Sequence, residues 1–148
     1  MDVSVQALQV SQSGELRVDR GACFVGTHLL LDVWAVGHLD DPDFITKALV
    51  ECAVACGATV LNTCIHHFGD GAGVTGVAIL AESHISVHSW PEHGYAAFDV
   101  FVCGSLDPYP AIHALIRRFA AARTNLIEHR RGLSTFAAAP GVSTEACR

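Results

Sequence analysis

Lysine is almost missing from this chain: Lys47 stands alone, and no lysine or arginine occurs from Ala48 to Ile116. A non-specific nucleic-acid binder, or a protein that sits on anionic lipid, needs clustered cations to displace phosphate counterions. Neither partner is expected here, and the overall balance agrees, with 9 basic against 15 acidic residues and a net charge of −6. Charged residues are only 16% of the chain against 51% hydrophobic, too apolar a mixture for disorder. The 148 residues suffice for one domain with a real core but not for two comfortable ones. No apolar run approaches the roughly 20 residues that span a bilayer. The first twenty residues also lack a basic head followed by a hydrophobic stretch, so the expected location is the cytoplasm. Among the six cysteines there is no CxxC pair. Cys52 and Cys56 are four apart in a helical pattern, and buried thiols are the expectation for most of the six in a reducing compartment.

What is present is one dense block between two polar or small-residue tails. Residues 1–22 and 133–148 read as loosely held extensions around a domain at 23–132. His28–Val36 is a β-branched and aromatic run that predicts a strand. Asp41-Pro42 then opens a helix carrying Phe44, Ile45, Ala48, Leu49, Cys52 and Cys56 at helical spacing, which Gly57 closes. Strands follow at 58–67, 74–81 and around 84–88, where Ile85 and Val87 alternate with His84, Ser86 and His88. Beyond the turn Trp90–Gly94, the segment Tyr95–Cys103 alternates again, with Ala96, Phe98, Val100 and Val102 on one side. Asp107-Pro108 starts a second helix with Ile112, Leu115, Ile116 and Phe119 inward, and 124–131 is a last strand. The order β-α-β-β-β-β-α-β implies an α+β fold: a two-layer sandwich of a mostly antiparallel sheet with two helices on one face. Something must cover the other face, and a second copy of the chain is the economical answer.

The chemistry concentrates in Leu80-Ala81-Glu82-Ser83-His84-Ile85-Ser86-Val87-His88-Ser89-Trp90-Pro91-Glu92. From residue types alone, three readings stay open. A metal site could draw on His84, His88 and His93, or on Cys64, His66 and His67, but His84 and His88 stand roughly 13 Å apart on an extended strand. The compact ligand spacings of zinc folds are also missing, so no metal is expected. A serine hydrolase would need glycines flanking Ser83, and Glu82 and His84 are there instead. Gly69, Gly71 and Gly73 are not followed by Lys-Ser or Lys-Thr, so a hairpin loop is favoured over a phosphate cradle.

The third reading rests on resemblance. AESHISVHSWPEHGYAAFDVFVCG (81–104), preceded by GVTGVAILA (73–81), with HLLLD near the start and HHF before the glycine loop, resembles the processing region of prokaryotic-type S-adenosylmethionine decarboxylase proenzymes, from about Gly26 to Arg131. The resemblance implies self-cleavage between Glu82 and Ser83, with Ser83 becoming a pyruvoyl group. It assigns His88 as proton acceptor in processing, Thr75 as its support, and Cys103 as the proton donor in turnover. Phe68, Trp90 and Glu92 match substrate-binding positions. The substrate would be S-adenosylmethionine, its decarboxylated product the aminopropyl donor for polyamine (spermidine) synthesis, and the assembly a homodimer of cleaved pairs. Decarboxylating an amino acid needs an electron sink; pyridoxal phosphate attaches through lysine, and Lys47 lies between buried helix positions, pointing to water. Pyruvoyl-dependent arginine or ornithine decarboxylases on the same scaffold, and a non-catalytic metal- or metabolite-binding module, are the alternatives. One structural expectation is sharp: strict strand alternation puts Ser83 and His88 on opposite faces, so the chain at 83 must reorient one of them.

Overall fold

Residues of alternating character along each strand can bury one face only if helices cover that face and leave the other open. The computed structural model describes residues 17–19, 22–35 and 37–133 and has this arrangement. Two short strands, β1 (Arg17–Asp19) and β2 (Ala22–Phe24), pair as a hairpin. A six-stranded sheet follows from β3 (Gly26–Trp34), β4 (Val60–His67), β5 (Val74–Leu80), β6 (Ser83–Trp90), β7 (Tyr95–Cys103) and β8 (Arg123–Arg131). Its spatial order is β4-β5-β6-β7-β3-β8, with every neighbouring pair antiparallel. Helices α1 (Pro42–Ala55) and α2 (Tyr109–Arg118) lie on one side. The α+β two-layer expectation and its element order hold. The small hairpin occupies part of the N-terminal stretch expected to be loose, tied down where Arg17 donates to the Leu106 carbonyl at 2.8 Å. The rest of that stretch and nearly all of the C-terminal tail lie outside the described residues.

Local chemistry sets the elements. Asp41 caps α1, its Oδ1 accepting from the Phe44 N–H at 2.9 Å, with Pro42 in the first turn where a missing N–H costs nothing. Ile45, Ala48, Leu49 and Cys52 then fall on one stripe and are buried. They meet Leu29, Leu31, Val33, Ile85, Val87, Phe98 and Val100 from the sheet and Ala111, Ile112 and Leu115 from α2. Phe119, just past α2, packs edge-on to Phe44 and tilted against Phe98, with ring centroids 5.3 and 5.2 Å away. Among the described cysteines, Cys52 and Cys56 are buried thiols as expected, but Cys64 is an exposed thiol, Cys103 a half-buried one and Cys23 is disulfide-bonded, so buried thiols are not the majority. Among the described residues no helix is long and apolar enough to cross a membrane.

One buried polar side chain joins three segments. The Ser89 hydroxyl accepts from the Val74 N–H at 2.8 Å and donates to the Leu39 carbonyl at 2.6 Å. This couples the end of β6 to the start of β5 and to the loop after β3. Ser89→Ala would strand both backbone groups away from water, so it should lower the unfolding free energy by about 1–3 kcal/mol in urea titration. An unchanged midpoint would show that the hydroxyl carries no such load.

Candidate active site

The face away from the helices carries His28, Leu30, Asp32 and Trp34 on β3. Thr75, Val77 and Ile79 stand beside them on β5, with His84, Ser86, His88 and Trp90 on β6 and Tyr95, Asp99, Phe101 and Cys103 on β7. The antiparallel register sorts these residues into two clusters at opposite ends of β6.

At the Trp90 end, Thr75 lies opposite His88, and its hydroxyl is 2.9 Å from His88 Nδ1. Phe68, Gly73, Thr75, His88, Trp90 and Glu92, together with Ser89, line a cavity of about 340 Å³. Phe68 is 63% exposed and Trp90 39%, so both rings leave a face free for a ligand. Phe68 sits edge-on to His66 at 4.6 Å, and Trp90 stacks on Tyr95 at 5.3 Å. Glu92 projects from the 3-10 turn Pro91–His93 that leads into β7. The glycine-rich segment is the β4–β5 hairpin loop, closed by Phe68 N–H to the Gly73 carbonyl, and Gly73 has no room for a side chain: a Cβ there would sit 1.9 Å from the Ser89 carbonyl oxygen.

At the other end, Leu80 pairs with Ser83, leaving Ala81-Glu82 as a two-residue loop between β5 and β6. Such loops usually match the sheet's twist with positive φ inside the loop. Neither Ala81 nor Glu82 has positive φ, and the burden falls on Ser83, at φ +140°. An L-residue is strained there, and the strain turns the serine out of its strand alternation. Its hydroxyl lies 3.3 Å from His84 Nδ1 and hydrogen-bonds the Cys103 thiol, both on the open face. The Cys103 N–H donates to the Glu82 carbonyl oxygen at 3.0 Å. Burial pushes the Cys103 thiol pKa up, only partly offset by the Ser83 hydrogen bond.

Of the two residues it is Ser83 that leaves the strand alternation, yet Ser83 and His88 do not meet within one chain. Five residues along a strand span roughly 16 Å. Ser83, Glu82 and Cys103 come together, as do Thr75, His88, Trp90, Glu92 and Phe68, but the two groups stay apart. The sequence offers His84 only as a metal ligand, yet it is the imidazole that touches Ser83. Among the described residues no group of three or more His, Cys, Asp or Glu stands close enough to hold a metal ion.

Between the clusters lies a polar network that the sequence did not reveal. His28 Nε2 is 3.2 Å from Asp99 Oδ1, Ser86 donates to Asp99 Oδ2 at 3.0 Å, and an Arg131 nitrogen is 3.1 Å from His28 Nδ1. Arginine can only donate, so Nδ1 is the acceptor and the neutral ring carries its proton on Nε2, facing Asp99. Burial lowers the His28 pKa against the opposing pull of Asp99, which favours that neutral form.

The S-adenosylmethionine decarboxylase family model matches residues 27–132. The chain belongs to this family. It is 42% identical over 112 residues to the S-adenosylmethionine decarboxylase proenzyme of Methanococcus maripaludis strain C7, covering 74% of this chain and 91% of the relative. The proenzyme of the same name from Anoxybacillus flavithermus is 39% identical over 111 residues, covering 74% and 89%. The crystal structure of the adenosylmethionine decarboxylase from Aquifex aeolicus VF5 superposes with a TM-score of 0.68 at 34% identity, over 75% of this chain and 93% of that one. Family membership thus covers both clusters on the open face.

A raised thiol pKa means that Cys103 keeps its proton to higher pH than an ordinary cysteine. Alkylation of the Cys103 peptide, followed by mass spectrometry across pH, should therefore rise with a midpoint above the usual thiol value. A midpoint below that value would contradict the buried, proton-holding environment.

Proposed function

We propose that this chain is a self-processing enzyme that decarboxylates S-adenosylmethionine, yielding the aminopropyl donor for polyamine synthesis, with its electrophile made from Ser83. The observation that carries the reading is the Glu82–Ser83 turn. A strained serine follows a carbonyl that is already held by an N–H, in a chain of this family. Ser83 Oγ attacks the Glu82 carbonyl carbon; the new C–O bond forms, the C–N bond breaks, and the hydroxyl proton ends on the Ser83 nitrogen. The Cys103 N–H lies where negative charge develops on the carbonyl oxygen during that attack. A base then removes the Ser83 α-proton, the Cβ–Oγ bond breaks, and segment 1–82 departs with a carboxylate at Glu82. The enamine left at residue 83 takes up water and loses ammonia, leaving a pyruvoyl end.

The surroundings of residue 83 fit such a group. A pyruvoyl group at residue 83 would supply a ketone for the substrate amine and a sink for the electrons released with CO2. The Cys103 thiol beside it, kept protonated by burial, is placed to return a proton to the substrate α-carbon. In the cavity, Phe68 and Trp90 offer aromatic faces to adenine and to the sulfonium cation. Glu92 accepts from the ribose hydroxyls, and no lysine or arginine competes with the cationic sulfur along this stretch of chain.

The base and the cavity for Ser83 belong to a second copy. Two chains packed open face to open face about a twofold axis bring the Ser83 end of one against the Thr75–His88 end of the other. With Nδ1–H donating to Thr75, His88 keeps its Nε2 lone pair for the α-proton. The open face offers apolar area for this contact in Leu30, Val77, Phe101 and Ile127.

Denaturing mass spectrometry should find fragments 1–82 and 83–148, and Ser83→Ala should remain one intact chain that releases no CO2 from S-adenosylmethionine. Turnover of arginine or ornithine in its place would overturn the substrate assignment. Cys103→Ala keeps its N–H and should still cleave, with decarboxylation slowed by about 10²–10⁴-fold; an unchanged rate would remove the thiol from its role. A mixed-chain test examines the assembly. His88→Ala chains should stay intact when expressed alone and be cut when co-expressed with Ser83→Ala chains, whose His88 is present. His88→Ala chains that stay intact in the co-expressed mixture would instead place the base in the same chain as Ser83, and cutting of the lone His88→Ala chain at the wild-type rate would remove His88 as the base.

A further inference from the structure

Edge strand β4 stops pairing at Val60, opposite Leu80, yet Thr59 continues the ladder onto the turn itself. The Ala81 N–H donates to the Thr59 carbonyl at 2.9 Å. In the other direction the Thr59 N–H donates at 2.9 Å to Glu82 Oε2, a side-chain oxygen standing where a strand carbonyl would have been. Thr59 is itself firmly seated. It follows Gly57, whose φ of +75° lets the chain leave α1, and Ala58, whose N–H bonds the Ala53 carbonyl at 2.9 Å. The Ala81-Glu82 turn is thus gripped from both flanks, by Thr59 on the β4 side and by the Cys103 N–H on the β7 side.

We propose that the Glu82 side chain is a positioning residue for self-cleavage: by accepting from Thr59 N–H, its carboxylate locks the turn so that the Glu82 carbonyl meets the Cys103 N–H with Ser83 Oγ beside it. The role rests on the cleavage reading above and assigns a task to a side chain that this reading uses only through its main chain. It requires an acceptor oxygen at the end of a two-methylene arm and does not require a charge. Glutamine therefore meets the requirement, aspartate falls one methylene short, and alanine has no acceptor.

The test is the rate of appearance of fragments 1–82 and 83–148 from freshly folded precursor, followed on denaturing gels. Glu82→Gln should cleave close to the wild-type rate. Glu82→Ala should be slower by about tenfold, the worth of one hydrogen bond expressed as a rate. Glu82→Asp should be slowed as well, and it supplies the comparison if the alanine variant fails to fold. Wild-type cleavage rates in Glu82→Ala or Glu82→Asp would overturn the proposal. So would a glutamine variant as slow as alanine, because charge and not placement would then be what matters. A wild-type chain that stays intact is a different result, since it would remove the cleavage reading itself.

Discussion

The hydrogen bond from the Cys103 N–H to the Glu82 carbonyl is the contact on which the arrangement at residue 83 depends. It exists because β6 and β7 pair with Ser83 opposite Val102. That register is fixed far from the site: Ala96, Phe98, Val100 and Val102 face the helices together with Ile85 and Val87, all essentially inaccessible to solvent. A slip of one residue would send the whole row to the open face and lose the core. Packing against α1 and α2 therefore holds a main-chain donor against one particular carbonyl, and hydrophobic burial on one side of the sheet sets polar geometry on the other.

The two faces divide the labour. The helix face is closed and almost wholly apolar, with Thr27 and Ser89 as hydrogen-bonded exceptions. The open face carries imidazoles, carboxylates, a thiol and indoles arranged in rows across five strands. His28, Asp99, Ser86 and Arg131 link β3, β7, β6 and β8 through its middle, between the turn at residue 83 and the cavity at Trp90. These four groups are already paired within one chain, so covering them with a second copy would not leave them without partners.

Much of the fold was legible because it rests on local pattern. The alternation from Tyr95 to Cys103 and the helical spacing from Ile45 to Cys52 each have one solution that buries their apolar side. The side-chain types of the site were legible through the family resemblance, and the cavity gathers five of them. The position of Ser83 was not legible, because periodicity carries no signal for an L-residue at positive φ; the sequence could only say that something near 83 must turn. The separation of His88 from Ser83 follows from simple counting along a strand, whereas the second chain proposed to bridge it lies outside any one-chain pattern. The His28–Asp99–Arg131 network joins residues up to about a hundred positions apart, and no spacing rule reaches that far. The grip of Thr59 on Glu82 was hidden for a similar reason: it is a side chain acting as backbone, one step beyond the end of an edge strand.

The strained backbone at Ser83 carries a consequence for timing. In an unstructured chain that serine relaxes to an ordinary conformation, and nothing holds the preceding carbonyl. The unfavourable angle can exist only once β5, β6 and β7 have zipped together over the core. If bond scission draws on that tension, maturation reports that the sheet has assembled correctly, and copies that collapse wrongly remain whole. The protein would then inspect its own architecture before arming itself, with no outside protease to make the decision.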